Sequence, residues 1–275
     1  MASHVRRGLS QPLRVSRSFQ LIVAHKVSTD AAESSKLPTM SFSRTRNAVP
    51  TVALDPAVER VFMRTVFSWM LLGVGLTAAI AGWFGSNDQL MKDLTAKPAW
   101  IFGAMFVQIG LVLALSFGIN KISAATASFL FILYAGVTGV VFSVIVTAYT
   151  TGSVAMAFAG AAGVFGGMAA WGYTTERDLT GLGPVLFGAL IGLIVASVVF
   201  MFTGGSTFNL VLGFGGVIIF AGLTAWDMQM IKSFAAGATD EETGRKLAIF
   251  GALSLYLNFV NIFLSLLRIF GGARS

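Results

Sequence analysis

Two neighbouring apolar runs decide the fold: Phe208–Ile231, FNLVLGFGGVIIFAGLTAWDMQMI, and Leu247–Phe270, LAIFGALSLYLNFVNIFLSLLRIF. Each exceeds the roughly 20 residues that a helix needs to cross a hydrocarbon core about 30 Å thick. The first contains Asp227, the sole acidic residue inside any apolar run of the chain. The second carries Ser254, Asn258, Asn261, Ser265 and Arg268. Their spacing alternates between four and three residues, which puts all five on one face of a helix. A lone acid and a polar stripe on adjacent membrane helices need a partner or a water-filled pathway to satisfy them.

Composition agrees with a membrane-spanning chain. Of 275 residues, 55% are hydrophobic and 11% are charged, against about a quarter charged in a soluble domain. The runs do not alternate apolar with polar, as barrel strands would. The fold expected is all-α: a polytopic membrane protein with seven transmembrane helices. Cysteine is absent, and the two histidines, His4 and His25, lie near the N-terminus. Thiol chemistry, a Ser–His or Cys–His arrangement within the membrane and a metal site built on His or Cys there are therefore excluded. A two-aspartate intramembrane protease needs a second acid in a span. There is no glycine-rich phosphate loop. The chain is expected to be no enzyme and to hold no cofactor and no metal.

Charge is uneven. Residues 1–50 hold eight basic side chains against Asp30 and Glu33. Rich in Ser and Arg, with no sustained apolar run, they read as a disordered basic tail. Two alternatives stay open: a gene start placed too early, with Met40 the true start, or a targeting segment. The basic balance belongs to this tail, so it does not point to nucleic acid as a partner.

Residues 51–275 form the expected seven-helix domain. Asp55-Pro56 opens a helix, with Pro in its first turn. The spans expected are Val61–Phe84, Trp100–Ile119, Ala124–Tyr149, Ser153–Tyr173, Leu182–Thr203, Phe208–Ile231 and Leu247–Phe270. Polar loops are expected at Gly85–Pro98 and Lys232–Lys246, and a capping turn with a local ion pair at Thr174–Leu179. Arg60, Lys121, Arg177, Lys232, Arg245 and Lys246 fall on one side, and Lys92, Lys97, Arg268 and Arg274 on the other. The positive-inside rule then places the N-terminus in the cytoplasm and the C-terminus outside. Two small-residue rows, Ala159-Gly163-Gly167 and Gly188-Gly192-Ala196, are expected to be helix-packing seams.

Asp227 precedes Lys232 by five residues, about 7 Å along a helix axis. A helix stopping at Lys232 would turn its negative end toward the carboxylate, and a charge there is costly. The functional reading is a proton- or cation-responsive group; the plain alternative is an acid wet enough to do nothing. Thr224, Ser254, Asn261 and Ser265 are the candidate pathway lining, equally readable as interhelical glue. Arg268 is expected to snorkel to headgroups.

Three motifs carry a resemblance over about residues 55–271: Trp171–Leu179 (WGYTTERDL), Gly222–Asp227 (GLTAWD) and Leu253–Leu264 (LSLYLNFVNIFL). In this order, with seven spans, the chain resembles the Bax inhibitor family, the transmembrane Bax-inhibitor-motif proteins, and its bacterial branch in particular. That resemblance implies a bundle with the last helix central. It implies a pH-sensitive calcium leak, and in some members inhibition of cell death or of a membrane protease. It also implies a pH sensor made of two aspartates sharing a proton. Asp227 matches the first; Asn258 stands where the second would be. Gln108 stands for a common Glu on the second helix, and Gly118 about where an Arg is often found.

Two carboxylates in contact cannot both ionise cheaply. With Asn258 opposite, that repulsion is gone, and pH gating is expected to be weak or acid-shifted. The expected function is a pH-modulated calcium leak channel in the bacterial inner membrane. The rivals are a non-conducting regulator that binds a membrane protease or another membrane protein, and a proton-coupled transporter. The bilayer, and calcium in transit, are the other expected partners.

Overall fold

Inside a bilayer the backbone finds no water, so each spanning segment must satisfy its own N–H and C=O groups. The computed structural model answers this with helices; it describes residues 56–97 and 99–271. The expected basic tail at 1–50 lies outside the described residues. Eight helices occur among those described: α1 (Pro56–Gly85), α2 (Asp88–Ala96), α3 (Ala99–Gly118), α4 (Ala124–Thr147), α5 (Thr151–Thr174), α6 (Leu182–Thr203), α7 (Ser206–Gly237) and α8 (Glu241–Phe270). All but α2 are long and apolar enough to cross a membrane.

Three boundaries differ from the sequence reading. The first polar loop contains α2, begun by Asn87, whose side chain accepts from the Leu90 N–H at 3.1 Å. The loop expected at Lys232–Lys246 shrinks to Ala238–Asp240. Beyond Ile231, α7 continues two turns because Ala235 still finds a buried face. Ahead of Leu247, α8 starts early because Asp240 caps it. The Asp240 carboxylate accepts from the Thr243 N–H at 2.9 Å and from its hydroxyl at 2.7 Å. These bonds hold the Asp240 carboxyl below the usual carboxylate range.

The last helix is the axis of the bundle. It packs against α1, α4, α5 and α7, and fifteen of its residues are buried. Tyr256 is fully buried on it. Its hydroxyl meets Thr77 of α1 at 2.7 Å, and Thr77 in turn donates to the Ala135 carbonyl of α4 at 2.9 Å. The Tyr256 ring stands edge-on to Phe131 and Tyr134. By contrast α6 buries Gly183 alone, and α3 only Leu111 and Leu115. These two helices are the lipid-facing flanks.

Small residues do permit close approach, but not at the expected rows. A Cβ on Gly163, Gly167, Gly188 or Gly192 would meet nothing within 4 Å. All four face outward. The real seams are elsewhere. A Cβ on Gly172 of α5 would strike the backbone of Ala225 on α7. One on Gly183 would strike the Trp226 indole, and one on Gly139 would strike Ile80. Spacing by four marks a face of a helix but does not say which face meets a neighbour.

One end of the bundle is knit by polar contacts. Glu242 of α8 accepts from the Ala124 N–H that opens α4, at 2.6 Å. Lys232 of α7 pairs with Glu59 of α1 at 3.8 Å and donates to the Tyr173 carbonyl of α5 at 3.1 Å. Gln229 accepts from the Leu179 N–H at 2.9 Å and donates to the Arg177 carbonyl at 2.6 Å. The turn at Thr174–Leu179 is thus held by Gln229. The ion pair expected within it does not form among the described residues.

Gly172 and Gly163 lie on the same helix and test the seam directly. Gly172→Ala is expected to lose about 1–3 kcal/mol through overpacking against backbone that cannot yield. Gly163→Ala, in open space, is expected to be neutral or to gain slightly from helix propensity. Thermal unfolding in detergent micelles, followed by tryptophan fluorescence, compares the two; equal midpoints would remove Gly172 from the seam.

Candidate functional site

Helices α7 and α8 run antiparallel, and their register is set by small residues. Ile231 lies over Gly251, Ser265 fits against Gly216, and Ile269 against Gly213. Between these contacts Asp227 faces Asn258. Both are buried, at 4% and 5% exposure. The Asn258 amide donates to the Asp227 carboxylate at 2.6 Å. A buried carboxylate without a donor is costly, and this bond supplies one from the adjacent helix. Ser254 lies one turn before Asn258, on the same face of α8.

The end of helix α7 lies farther from Asp227 than the sequence reading placed it. Helix α7 does not stop near Lys232 but runs to Gly237. The carboxylate is therefore ten residues from the helix end, about 15 Å along the axis. Macrodipole effects fade within the last turn. The cost of a charge on Asp227 thus comes from burial, not from the negative end of its helix.

The remaining candidates divide. Thr224 is buried beside Asp227 in the chain, but its hydroxyl donates to its own helix, at Phe220 O, 2.7 Å away. Asn261 likewise donates to Leu257 O at 2.8 Å. Ser265 is buried at the contact with Gly216. Arg268 is half-buried next to Gly213. The structure brings Asp227 and Asn258 into contact; Ser254 lies one turn from Asn258 on the same helix face, Thr224 and Asn261 bond to their own helices, and Ser265 sits at the Gly216 contact.

Gln108 has a structural task. Its amide donates to the Thr138 hydroxyl at 2.9 Å, and Thr138 donates to Tyr134 O at 2.8 Å. This relay ties the peripheral α3 to α4 beside the Tyr256 cluster. An ionised Glu at this position could not donate the first bond.

Comparison with known proteins identifies this architecture. The profile of the family described as "Inhibitor of apoptosis-promoting Bax1" matches residues 59–275. The chain belongs to the Bax inhibitor family. It is 41% identical over 217 residues to "Inner membrane protein YbhL" of Escherichia coli strain K12, a match covering 78% of this chain and 93% of that protein. It is 41% identical over 220 residues to an uncharacterized protein of Borreliella burgdorferi, covering 79% and 94%. It is 40% identical over 216 residues to an uncharacterized protein of Deinococcus radiodurans, covering 78% and 92%. This Bax inhibitor family member is thus a multi-pass membrane protein matched along nearly the whole length of these relatives.

Sequence reasoning passed over Arg64. It lies inside the first apolar run, one helical turn after Arg60, and is exposed on α1. The signal was available: an arginine within a run read as apolar, spaced by four from a second arginine.

Asn258→Ala is expected to leave the buried carboxylate short of its amide donor and to cost about 1–3 kcal/mol. Asp227→Asn, which can keep an amide pair with Asn258, is expected to cost less. Unfolding midpoints in detergent decide it: an unchanged midpoint for Asn258→Ala would mean that the bond contributes nothing to holding α7 against α8.

Proposed function

We propose that this Bax inhibitor family protein is a pH-modulated leak channel for cations, calcium foremost, in the bacterial inner membrane. Its N-terminus is cytoplasmic and its C-terminus outside, and it catalyses no reaction. One observation carries this reading: a buried carboxylate at the interface of the central helix, held by an amide from that helix. An ionised Asp227 draws a cation into the bundle; a protonated one does not. Conduction requires Asn258 to release the carboxylate, so the Asp227–Asn258 bond is the closed latch.

The sign of the pH response follows. Lowering pH neutralises Asp227 and lowers calcium flux. Asn258 cannot titrate, so a single group responds and the change is shallow. In a carboxylate pair the two ionisations are coupled and would shift the response.

A second reading is favoured by a specific observation. Thr224 and Asn261 spend their polar groups on their own helices, as helix-stabilising side chains do. A non-conducting regulator that binds a membrane protease or another membrane protein needs no more than this.

Calcium entry into dye-loaded liposomes holding the purified protein, measured from about pH 5 to 8, separates the readings. The leak reading expects flux above that of empty liposomes, declining gently toward acid. Asp227→Asn is expected to flatten the profile, and Asn258→Asp to steepen it. Flux no greater than in empty liposomes would select the regulator; a profile unchanged in Asp227→Asn would remove the carboxylate from gating.

A further inference from the structure

The outward face of α1 carries a feature that the Asp227 site does not use. Arg60, Arg64 and Ser68 follow one another at intervals of four and so share a face. All three are exposed. Among the described residues neither arginine forms an ion pair, since Glu59 is taken by Lys232. Arg64 lies eight residues past Pro56, about 12 Å along the axis, beyond the start of the apolar run. A guanidinium at that depth needs an anionic or hydrogen-bonding partner.

Two grooves flank this face. One, of about 650 Å³, lies between α1 and α5 and ends at Arg60, Arg64 and Tyr173, with Phe67, Leu71 and Phe165 along its length. The other, of about 390 Å³, runs past Thr65, Trp69 and Leu72 on the far side. Arg64 and Ser68 line both, so they form the ridge between them. On the α5 wall of the larger groove the small residues Gly166, Ala169 and Ala170 lie between Phe165 and Tyr173. A Cβ on Gly166 would meet nothing within 4 Å, so the groove is open there.

We propose that the two grooves bind one anionic phospholipid, its phosphate held by Arg60 and Arg64 and its two acyl chains lying one on each side of the ridge. The chemistry matches at each end. A guanidinium fork fits the oxygens of a phosphate, and two unneutralised cations at the membrane surface favour an anionic headgroup. Beyond them the larger groove presents Phe67, Leu71 and Phe165, and the smaller, a depression on α1 alone, presents Trp69 and Leu72 beside Thr65 and Ser68, so an acyl chain finds apolar side chains in each. A second copy of this chain is a poor occupant, because it would bring four guanidiniums together. Met228 lines the larger groove and follows Asp227 directly in α7. The lipid therefore touches the helix that carries the buried carboxylate.

The test is native mass spectrometry of the full chain in detergent, incubated with equal amounts of phosphatidylglycerol and phosphatidylcholine of matched acyl chains. Wild type is expected to retain one phosphatidylglycerol in preference to phosphatidylcholine by about twenty-five-fold, at about fivefold per arginine. The double variant Arg60→Gln, Arg64→Gln is expected to lose that preference. Gly166→Phe with Ala170→Phe, which fills the larger groove and keeps both arginines, is expected to lose retention of either lipid. The wild-type comparison stands independently of how any variant folds. Equal retention of the two lipids by wild type would overturn the site. So would a preference that survives loss of both arginines, or a lipid-free dimer as the dominant species.

Discussion

A carboxylate placed at the centre of a lipid-embedded bundle must be met by a donor from another helix, and the Asn258 amide is that donor. Much of the surrounding geometry serves the meeting. Gly213 and Gly216 let α7 approach α8 to within side-chain contact at Ser265 and Ile269. Gly251 does the same at the other end, under Ile231. With the two helices fixed at both ends, Asp227 and Asn258 have little freedom to part. Where burial makes an unmet charge expensive, the bond that satisfies the acid also favours the register that the small residues set.

The topology could be read from the sequence because the bilayer imposes one length and one composition on every span. Asp227 stood out for the same reason: a lone acid in an apolar run is rare. The helix ends were less legible. Polar residues such as Lys232 or Glu242 look like loop when apolarity is the criterion, yet both extend helices whose water-facing turns bond to other elements. The packing glycines were misread for a different reason. Gly163 and Gly172 are chemically identical, and only the position of α7 makes one a seam and leaves the other facing outward. Arg64 was overlooked because hydropathy averages over a window, and one charge among many apolar neighbours barely moves the average.

In the proposed leak channel, Asn258 in place of a second acid would change the nature of the latch more than its position. An ionised pair would repel and would need a shared proton to stay closed. An amide facing a carboxylate holds without a proton, because the Asn258 nitrogen donates whatever the pH. The interaction therefore persists when Asp227 is charged, the state in which a cation would be drawn to it. In the leak-channel reading proposed above, protons alone then have little purchase on gating, and opening falls to whatever can move α7 relative to α8. The elements touching α7 are then the places to look: α5 through Gly172, α6 through Trp226, and the groove floor at Met228. Of these, the groove at Met228 is the one proposed to hold a lipid, and on that proposal lipid occupancy is a physically direct means of shifting the proposed latch.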